Sequence, residues 1–443
     1  MTNPPEIFSE RYRSDGSLRG NILEWLDARL PLTPFWRKHF SAYYVPKNFN
    51  FLYFFGSIGL VVLAIQLITG IFLLMYYKPD ASLNADGLPA AFSSVEHIMR
   101  DVNWGWLIRY MHSTGASAFF FVVYMHIFRC MLYGSYRKPR ELLWIIGILI
   151  FFLLMAEAFT GYVLPWGQMS FWAAQVITDL MSVLPFVGET LVSWLRGGFS
   201  VGDATLGRFF SLHVVCIPLA LIFLVLLHLL ALREVGSNNP DGIEIYGCAD
   251  AVDARGKPLD GIPFHPYYTV KEILGIAIFL TVFFALVFFA PEGGGYLLER
   301  ANFSPADPLK TPEHIETLWY FSPFYSMLRA IDQPVLGIDA KFLGALAMNS
   351  SIGILTLLPW LDRSPAKSIR YRGPIFKILL PLFALAFLTL GFLGKQPPEY
   401  LLFGLIPANR AAQSATLFYF LFFLTMPWWS KIDKCKPQRP RLK

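Results

Sequence analysis

The segment RYMHSTGASAFFFVVYMHIFR, residues 109–129, decides the fold because it places two histidines, His112 and His126, inside one long apolar stretch. A second apolar stretch carries His213 and His228. An ionisable side chain inside a membrane helix is costly, and it is therefore a candidate for function by default. Along an α-helix, 14 residues rise about 21 Å and return to within about 40° of the same face. Two facing helices would therefore offer two histidine pairs, about 20 Å apart in an apolar core about 30 Å thick.

Composition places the chain among membrane proteins that cross the bilayer several times. Of its 443 residues, 55% are hydrophobic and only 15% are charged, whereas soluble domains average about 25% charged residues. The net charge of +6 does not indicate nucleic-acid binding, because the basic residues lie in short loops and termini between apolar stretches. The four cysteines lack a CxxC or CxxCH motif, which argues against a zinc site, an iron–sulfur cluster or covalently attached haem.

Eight apolar stretches are long enough to cross a bilayer, and they predict an all-α integral membrane protein with eight transmembrane helices. We label these spans A to H. They are 51–77, 104–133, 141–164, 206–232, 271–291, 340–361, 374–394 and 411–429. Residues 170–200 and 311–331 are also apolar but are interrupted by proline or glycine, which favours short helices on a membrane face.

The distribution of basic residues predicts the orientation in the membrane. An even number of spans puts both termini on one side, and the loops of that side together with the termini carry most of the Lys and Arg. By the positive-inside rule this side is cytoplasmic. Spans B and D then run in the same direction. His112 and His213 (the outer pair) are expected in the outer half of the membrane, and His126 and His228 (the inner pair) in the inner half.

The two histidine pairs predict bis-histidine ligation of two haems. One membrane histidine is often structural or part of a proton relay, but four in two registered pairs are difficult to explain in that way. Spans A and C each carry two glycines at the same 14-residue interval, which would allow a flat macrocycle to approach. Bis-imidazole iron has no open position, so such haems transfer electrons and do not bind oxygen. The glycines are Gly56, Gly70, Gly147 and Gly161, and the arginines suited to haem propionates are Arg109, Arg129 and Arg208.

Several specific strings, in a fixed order along the chain, carry a family resemblance. In these strings the chain, from about Asn48 to Trp429, resembles the cytochrome b family of quinol–cytochrome c oxidoreductases, in a bacterial version. The strings are QLITG at 66–70, RYMH at 109–112, GYVLPWGQMSFW at 161–172, RFFSLH at 208–213, GSNNP at 236–240, PFHPYY at 263–268 and WYFSPFYSMLRAI at 319–331.

The resemblance implies a low-potential haem b on the outer pair and a high-potential haem b on the inner pair. It implies that quinol is oxidised at an outer site, that electrons cross the membrane through the two haems, and that quinone is reduced at an inner site, which contributes to the proton motive force (the Q-cycle). The implied partners are a Rieske iron–sulfur protein, a cytochrome c-type subunit, ubiquinone, membrane lipids and a second copy of the complex. Activity is expected only in that complex, in the bacterial inner membrane.

The same resemblance implies a division of the chain into five parts. A bundle of the first four helices would hold the two haems, and the last four helices would build the quinone sites. The parts are a cytoplasmic N-terminal segment (1–50), the four-helix di-haem domain (51–235), a cytoplasmic D–E loop (236–270), the four-helix quinone-site domain (271–430) and a basic cytoplasmic tail (431–443).

The histidine spacing on span D departs from the common family pattern. Many members have 14 residues between the histidines on both helices, whereas His213 and His228 are 15 residues apart. One extra residue turns the second histidine by about 100° on an ideal helix. We expect a local bulge or a rotated imidazole to absorb this difference.

The outer quinone site departs at its proton-accepting position. The family motif Pro-Glu-Trp-Tyr reads Thr317-Leu318-Trp319-Tyr320 here, so leucine replaces the glutamate usually proposed to accept a quinol proton. Either a nearby carboxylate or a histidine of the partner iron–sulfur protein, together with Tyr162, must then take this role. The nearby carboxylates are Glu316, Glu313, Glu299 and Glu292.

Three further residues correspond to the outer site of the family. Tyr162 and Tyr325 match positions of this site, and Ala173 stands where many members have glycine. An added methyl group in a tight pocket excludes ligands that pack against bare backbone. The chain is therefore predicted to resist methoxyacrylate-type inhibitors.

The inner quinone site also departs from the family. Arg233 stands where a histidine is common, and Glu272, beside Lys271, replaces an aspartate. Quinone reduction needs protons at two carbonyl oxygens, and arginine does not release a proton at useful pH. We therefore expect a water chain led by Glu272, with Ser237 and Asn238 as possible hydrogen-bonding partners of the quinone.

Two other functions remain open at this point. Another di-haem membrane anchor, such as a dehydrogenase cytochrome subunit, usually has fewer helices and lacks the Trp-Gly-Gln-Met and His-Pro-Tyr-Tyr strings. A proton-coupled permease could use the histidines as a relay, but it would show no haem band in a reduced-minus-oxidised spectrum.

Overall fold

A computed structural model describes residues 15–37, 42–245, 252–253 and 257–437. The ends of the predicted N-terminal segment and basic tail, and part of the predicted D–E loop, lie outside the described residues. The helices are α1 (Leu18–Asp27), α2 (Leu32–Trp36), α3 (Phe55–Leu74), α4 (Ala90–Arg100), α5 (Gly105–Tyr133), α6 (Glu141–Val163), α7 (Gln168–Met181), α8 (Gly188–Arg196), α9 (Asp203–Ser211), α10 (Ile217–Val235), α11 (Thr269–Phe289), α12 (Ser322–Ala330), α13 (Ala340–Thr356), α14 (Leu358–Leu361), α15 (Pro374–Gly394), α16 (Ala408–Leu424) and α17 (Met426–Ile432).

Short non-α elements extend or connect these helices. Strands β1 (Tyr44–Pro46) and β2 (Gly261–Pro263) pair antiparallel, as do β3 (Leu401–Leu402) and β4 (Ile406–Pro407). The 3₁₀ turns are Phe51–Phe54, Gly293–Gly295 and Arg300–Phe303, and the π-helical turns are Leu212–Cys216 and Phe264–Tyr268.

Six helical segments of the described chain are long and apolar enough to cross a membrane. They correspond to predicted spans A, B, C, D, E and G, so the prediction of a helical membrane protein is confirmed. The segments are Phe51–Leu74, Gly105–Tyr133, Glu141–Val163, Asp203–Val235, Phe264–Phe289 and Pro374–Gly394.

Predicted spans F and H are each divided into two helices. Helices α13 and α16 have 17 residues each, fewer than the roughly 20 that a bilayer span needs. Helix α14 follows α13 after Leu357, and α17 follows α16 after Thr425. A proline near the start of each short helix explains the break, because proline has no N–H to continue the hydrogen-bond ladder. A total of eight spans therefore remains a prediction.

Two helix pairs frame the histidines. Helix α3 packs along α5, and α6 packs along α10. The apolar core of a membrane holds no water, so the backbone N–H and C=O groups of a spanning helix are hydrogen-bonded within that helix. The histidine-bearing helices α5 and α10 each have a glycine-bearing neighbour as a result.

Helix α12 organises the second half of the chain. It packs against α13, α15 and α16. An aromatic core that includes Phe383, Tyr419 and Phe423 fills the space between α15 and α16. Trp144 of α6 joins the halves, since its indole N–H donates to the backbone oxygen of Leu355, 2.7 Å away.

A buried ion pair lies within the α14–α15 loop, where Tyr136 of the α5–α6 loop contacts it. Arg372 pairs with Asp362, and both side chains are 0% exposed. The Tyr136 hydroxyl donates to Asp362 at 2.6 Å. Burial raises the pKa of the Asp362 carboxyl, but Arg372, Arg137 and the bond from Tyr136 together lower it more, so the pKa lies below its usual range. These contacts hold the two loops together.

Candidate functional site

The four histidines predicted from the sequence meet in two pairs. The ring centroids of His112 and His213 are 6.1 Å apart, and those of His126 and His228 are 6.4 Å apart. An imidazole–metal bond is about 2 Å long and a centroid lies about 1 Å behind its nitrogen, so one metal ion between two rings sets the centroids about 6 Å apart. Both pairs fit bis-histidine ligation of a metal.

Hydrogen bonds fix the rings of the outer pair. The Thr69 hydroxyl donates to the Ile65 backbone oxygen and lies 2.9 Å from Nδ1 of His112, from which it can accept. Nδ1 of His213 is 2.9 Å from the backbone oxygen of Glu157 and 3.1 Å from its carboxyl Oε1. A donating Nδ1–H selects the tautomer whose Nε2 is an available metal ligand. Both imidazoles of the outer pair are thus held with Nε2 available to a metal ion.

A π-helical turn at Leu212–Cys216 contains His213 and accounts for the 15-residue spacing. Such a turn accommodates one more residue than the α-helix around it. The extra residue is absorbed immediately after His213, and His228 returns to the face that meets His126. The predicted local bulge is confirmed.

The four predicted glycines each face one histidine ring across a helix contact. An added Cβ atom at Gly161 would lie 2.3 Å from Cε1 of the facing ring, whereas the other three would lie between 3.3 and 3.5 Å away. The nearest protein groups to these glycines are the imidazoles, because α3 and α6 pack directly beside α5 and α10. That a macrocycle also lies against these glycines stays a prediction. The facing residues are Gly56 with His126, Gly70 with His112, Gly147 with His228 and Gly161 with His213.

The three predicted arginines lie beside the histidine pairs. Nε of Arg129 and Nη1 of Arg208 are buried and have no hydrogen-bond partner among the described residues. Arg109 lines the same cavity as the outer pair. Arg129 makes other contacts, with the Ser135 hydroxyl at 3.3 Å and with Nδ1 of His126 at 3.4 Å, but each buried donor left without a partner is costly. These donors suit an anionic group such as a haem propionate.

A cavity of about 640 Å³ extends from the outer pair towards the segment that follows α11. Its wall contains the predicted outer-site residues Tyr162, Leu318 and Tyr320, together with Glu299 and Asn302. Its volume lies in the range of small-molecule sites, about 300–1,000 Å³. One cavity therefore adjoins both the outer pair and the predicted quinol-site residues.

Other residues predicted for the outer site lie outside that wall. The Trp319 indole donates to the Ser117 hydroxyl at 3.1 Å. Tyr325 lies on α12, where the guanidinium of Arg329 stands 5.4 Å from its ring centroid. Ala173 is buried within α7. Of the described residues, Trp319, Tyr325, Ala173 and Glu316 do not line this cavity.

Glu299 forms the centre of a polar cluster at the cavity wall. The Tyr162 hydroxyl donates to Glu299, and the Asn302 amide donates to the Tyr162 hydroxyl at 3.0 Å. Nζ of Lys395 is 3.3 Å from Oε1 of Glu299 and 2.5 Å from Oε2 of Glu316. Burial raises the pKa of the Glu299 carboxyl, with Lys395 and the bond from Tyr162 opposing the rise.

The sequence pointed to only part of this cluster. Glu299 was one of four nearby carboxylates, whereas Asn302 and Lys395 were missed. The one sequence signal for the cluster was the basic residue Lys395 at the end of span G. This signal is ambiguous, because basic residues at the ends of spans also set the orientation of the helix.

At the other end of the spans, Arg233 and Glu272 come together. The guanidinium of Arg233 lies 4.3 Å from the ring centroid of Tyr43 and 4.7 Å from that of Phe264. A side-chain hydrogen bond joins Ser57 to the Glu272 carboxyl, and Arg233 is near enough for its charge to act on that carboxyl. The aromatic rings hold the Arg233 guanidinium, so a hydrogen-bond donor and an acid lie at the same end of the spans.

The remaining inner-site candidates have different surroundings. Lys271 is exposed and Ser237 is half-buried. The Asn238 amide donates to the backbone oxygen of Tyr133 at 2.7 Å. Its side chain therefore fastens the chain after α10 to the end of α5, and its donor is not available to a quinone.

The fold and the site define a class: helical membrane proteins whose buried histidines are paired between helices. Family models described as Cytochrome b/b6/petB and Cytochrome b(C-terminal)/b6/petD match residues 40–236 and 305–420. The chain therefore belongs to the cytochrome b family, as its sequence strings predict. Membership makes it a haem protein of membrane electron transport.

Individual relatives agree with this assignment. The chain is 54% identical over 421 residues to cytochrome b of Allochromatium vinosum, an alignment that covers 95% of this chain and 98% of that protein. It is 48% identical over 417 residues to cytochrome b of Rickettsia bellii, covering 94% and 95%. A solved structure of a hyperthermophilic respiratory complex III superposes with a TM-score of 0.79 at 39% identity, covering 92% of this chain and 98% of that chain.

Proposed function

We propose that this chain is the di-haem subunit of a quinol–cytochrome c oxidoreductase of the complex III type. It oxidises quinol in the cavity beside the outer pair and reduces quinone near Arg233 and Glu272, with electrons crossing the membrane between them. The observation that carries the proposal is the presence of two histidine pairs with centroids 6.1 and 6.4 Å apart. Haem, when bound, supplies the one-electron chemistry that side chains lack.

Each histidine pair would hold one haem b, with the low potential at the outer pair and the high potential at the inner pair. Arg109 and Arg208 near the outer pair and Arg129 near the inner pair would bind propionates. Two buried arginine nitrogens without partners in the described chain support this role. An arginine that pairs with a propionate through directed hydrogen bonds would keep the haem in one orientation.

The outer cavity would bind the quinol ring against Tyr320 and Leu318. Tyr320 stacks on Phe120 with ring centroids 4.0 Å apart, which gives the wall a rigid aromatic face. At the inner site, Arg233 would donate hydrogen bonds to a quinone carbonyl and Glu272 would deliver protons from a water chain. Arginine holds its proton at useful pH, so the acid must be the carboxyl.

We further propose the organisation of the assembly. The first four long helices form a di-haem bundle, and the eight spans place both termini in the cytoplasm of a bacterium, with the chain in its inner membrane. A Rieske iron–sulfur protein and a cytochrome c-type subunit complete a homodimeric complex that uses ubiquinone. The 98% coverage of a complex III chain supports these partners.

Spectra of membranes that contain the complex test the proposal. The wild type should show two b-type bands on reduction, and His112→Leu and His126→Leu should each remove a different one. Quinol-dependent reduction of cytochrome c should disappear in both variants. Absence of any haem band would indicate a permease instead. Haem without quinol–cytochrome c activity would indicate another di-haem membrane anchor.

A further inference from the structure

The outer cavity has an acid, but not at the position where the family motif carries one. Leu318 is 7% exposed and belongs to an apolar cluster with Phe120, Phe151 and Tyr320. A leucine cannot accept a proton, and the buried residues of this cluster are aliphatic and aromatic side chains without a carboxylate. Oxidation of one quinol breaks two O–H bonds, and both protons must leave a largely dry cavity.

Three carboxylates of the described chain line this cavity, Glu96, Glu157 and Glu299, and of these Glu299 is the buried one. It lies in the loop between α11 and α12, lines the same wall as Leu318, and is 6% exposed. Its partner Tyr162 also lines the wall, and its hydroxyl donates to Glu299. Asn302 donates to that hydroxyl oxygen and so fixes its direction. A quinol oxygen bound near Tyr162 would be connected to the Glu299 carboxylate through the tyrosine hydroxyl.

A route from Glu299 to the surface is also present. Lys395 is 10% exposed and contacts Glu299 on one side and Glu316 on the other. It is held in place by a third bond, to the backbone oxygen of Thr317 at 3.2 Å. The Glu316 side chain is 37% exposed. Lys395 thus connects the buried carboxyl of Glu299 to the solvent-accessible carboxyl of Glu316.

We propose that Glu299 takes over the proton-accepting role that Leu318 cannot perform. Tyr162 passes its hydroxyl proton to the Glu299 carboxylate as it receives a proton from quinol, and Glu299 then releases that proton towards Glu316 and water. The second quinol proton leaves separately with the iron–sulfur partner. The two electrons go one to that partner and one to the outer haem. This inference rests on the proposed function and adds the proton acceptor to it.

The surroundings of Glu299 set the direction of its pH dependence. The titratable groups facing it are Tyr162, Tyr320, Lys395 and Glu316. Burial raises the pKa of Glu299 above its usual range, and the Lys395 ammonium limits that rise. Only the ionised carboxylate can accept a proton. Quinol oxidation should therefore fall as pH decreases through this raised pKa.

The test uses the intact complex in native membranes, with quinol-driven cytochrome c reduction followed across pH. Glu299→Gln should lower the rate by about 100-fold, the usual scale for loss of a positioned acid or base. Asp307→Asn, at an exposed carboxylate of the same loop, should leave the rate unchanged. Leu318→Glu added to Glu299→Gln should restore activity, because it returns a carboxyl to the cavity. A purely structural role for Glu299 would not allow that rescue.

A second variant keeps the test independent of folding. Lys395→Gln removes the cation that limits the Glu299 pKa, so its low-pH decline should move to higher pH while haem content stays normal. Full activity of Glu299→Gln, or an unchanged pH profile in Lys395→Gln, overturns the inference. Wild-type complex with normal haem bands but no quinol oxidation would instead contradict the proposed function.

Discussion

Gly161 and His213 approach so closely that a Cβ atom on the glycine would lie 2.3 Å from Cε1 of the imidazole. Real Cβ atoms do not approach other atoms at that distance, so the ring would have to move. His213 is not free to move, because its Nδ1 is held by Glu157. The outer pair therefore depends on the absence of a side chain at position 161.

Gly161→Ala should therefore displace the His213 ring and remove or strongly broaden the spectral band of the outer haem. Gly56→Ala is the matched control, because its Cβ would be 3.5 Å from His126, an ordinary contact distance. That variant should keep both bands. Reduced-minus-oxidised spectra of equal amounts of complex give the comparison. Two normal bands in Gly161→Ala would show that the ring has more freedom than its contacts indicate.

Deletion of Val215 should be tolerated. Val215 lies in the π-helical turn, so its deletion removes the one extra residue of the segment. The turn should become α-helical and both haem bands should remain. Deletion of Phe121 on α5 should rotate His126 by about 100° and abolish the inner band. Both side chains are 51% exposed, so loss of packing is comparable. Loss of the inner band after deletion of Val215 would contradict this account of the turn.

Asp362→Asn should destabilise the protein by about 3–5 kcal/mol, because it leaves the buried Arg372 without a counter-charge. The measurement is thermal unfolding of the purified complex near neutral pH. The double variant Asp362→Leu with Arg372→Met removes both charges and should recover most of the loss. Equal destabilisation by the single and double variants would mean that packing, not charge, is responsible.

The same pair predicts how stability depends on pH. The pKa of Asp362 is lowered in the folded protein, so its contribution is complete above the unfolded value of about 3.9 and is lost as pH falls through the lower folded value. The wild type should therefore lose stability on acidification more steeply than the double variant. Parallel acid-unfolding curves would exclude this role.

Ala173→Gly should make quinol oxidation sensitive to methoxyacrylate-type inhibitors, whereas the wild type should resist them. Ala173 is buried in α7 and does not itself line the outer cavity, so its methyl group would act on an inhibitor that reaches beyond the cavity to this part of the backbone. Inhibitor titrations of the two complexes give the comparison, with uninhibited rates as the control. Nanomolar inhibition of the wild type would contradict the prediction.

The parts of the fold that were predicted from sequence are those governed by membrane physics. Long apolar stretches identified six spans, and the 14-residue intervals identified which histidines would meet. The break in span F was missed because hydropathy does not register a single proline such as Pro359. The π turn could be expected from an extra residue, although its position at His213 could not, since any turn between the two histidines would satisfy the spacing.

The polar parts of the site were less predictable, because they depend on long-range contacts. Glu299 reaches Tyr162 across 137 positions of sequence, and Lys395 comes from a different helix again. No local pattern connects them. Asn238 shows the opposite error: it was assigned to a quinone, but its amide is used to join two parts of the backbone.

Glu299 and Leu318 lie in the same segment between α11 and α12 and line the same cavity, but Leu318 packs in the apolar cluster with Phe120 and Phe151. A substitution of the Glu299 carboxylate therefore leaves the packing of that cluster in place, and a substitution of Leu318 leaves the hydrogen bond from Tyr162 to Glu299 in place. The fit of the substrate and the strength of the acid can therefore change independently during evolution. An organism that meets a change in environmental acidity could adjust position 299 and keep the apolar face of its quinone pocket.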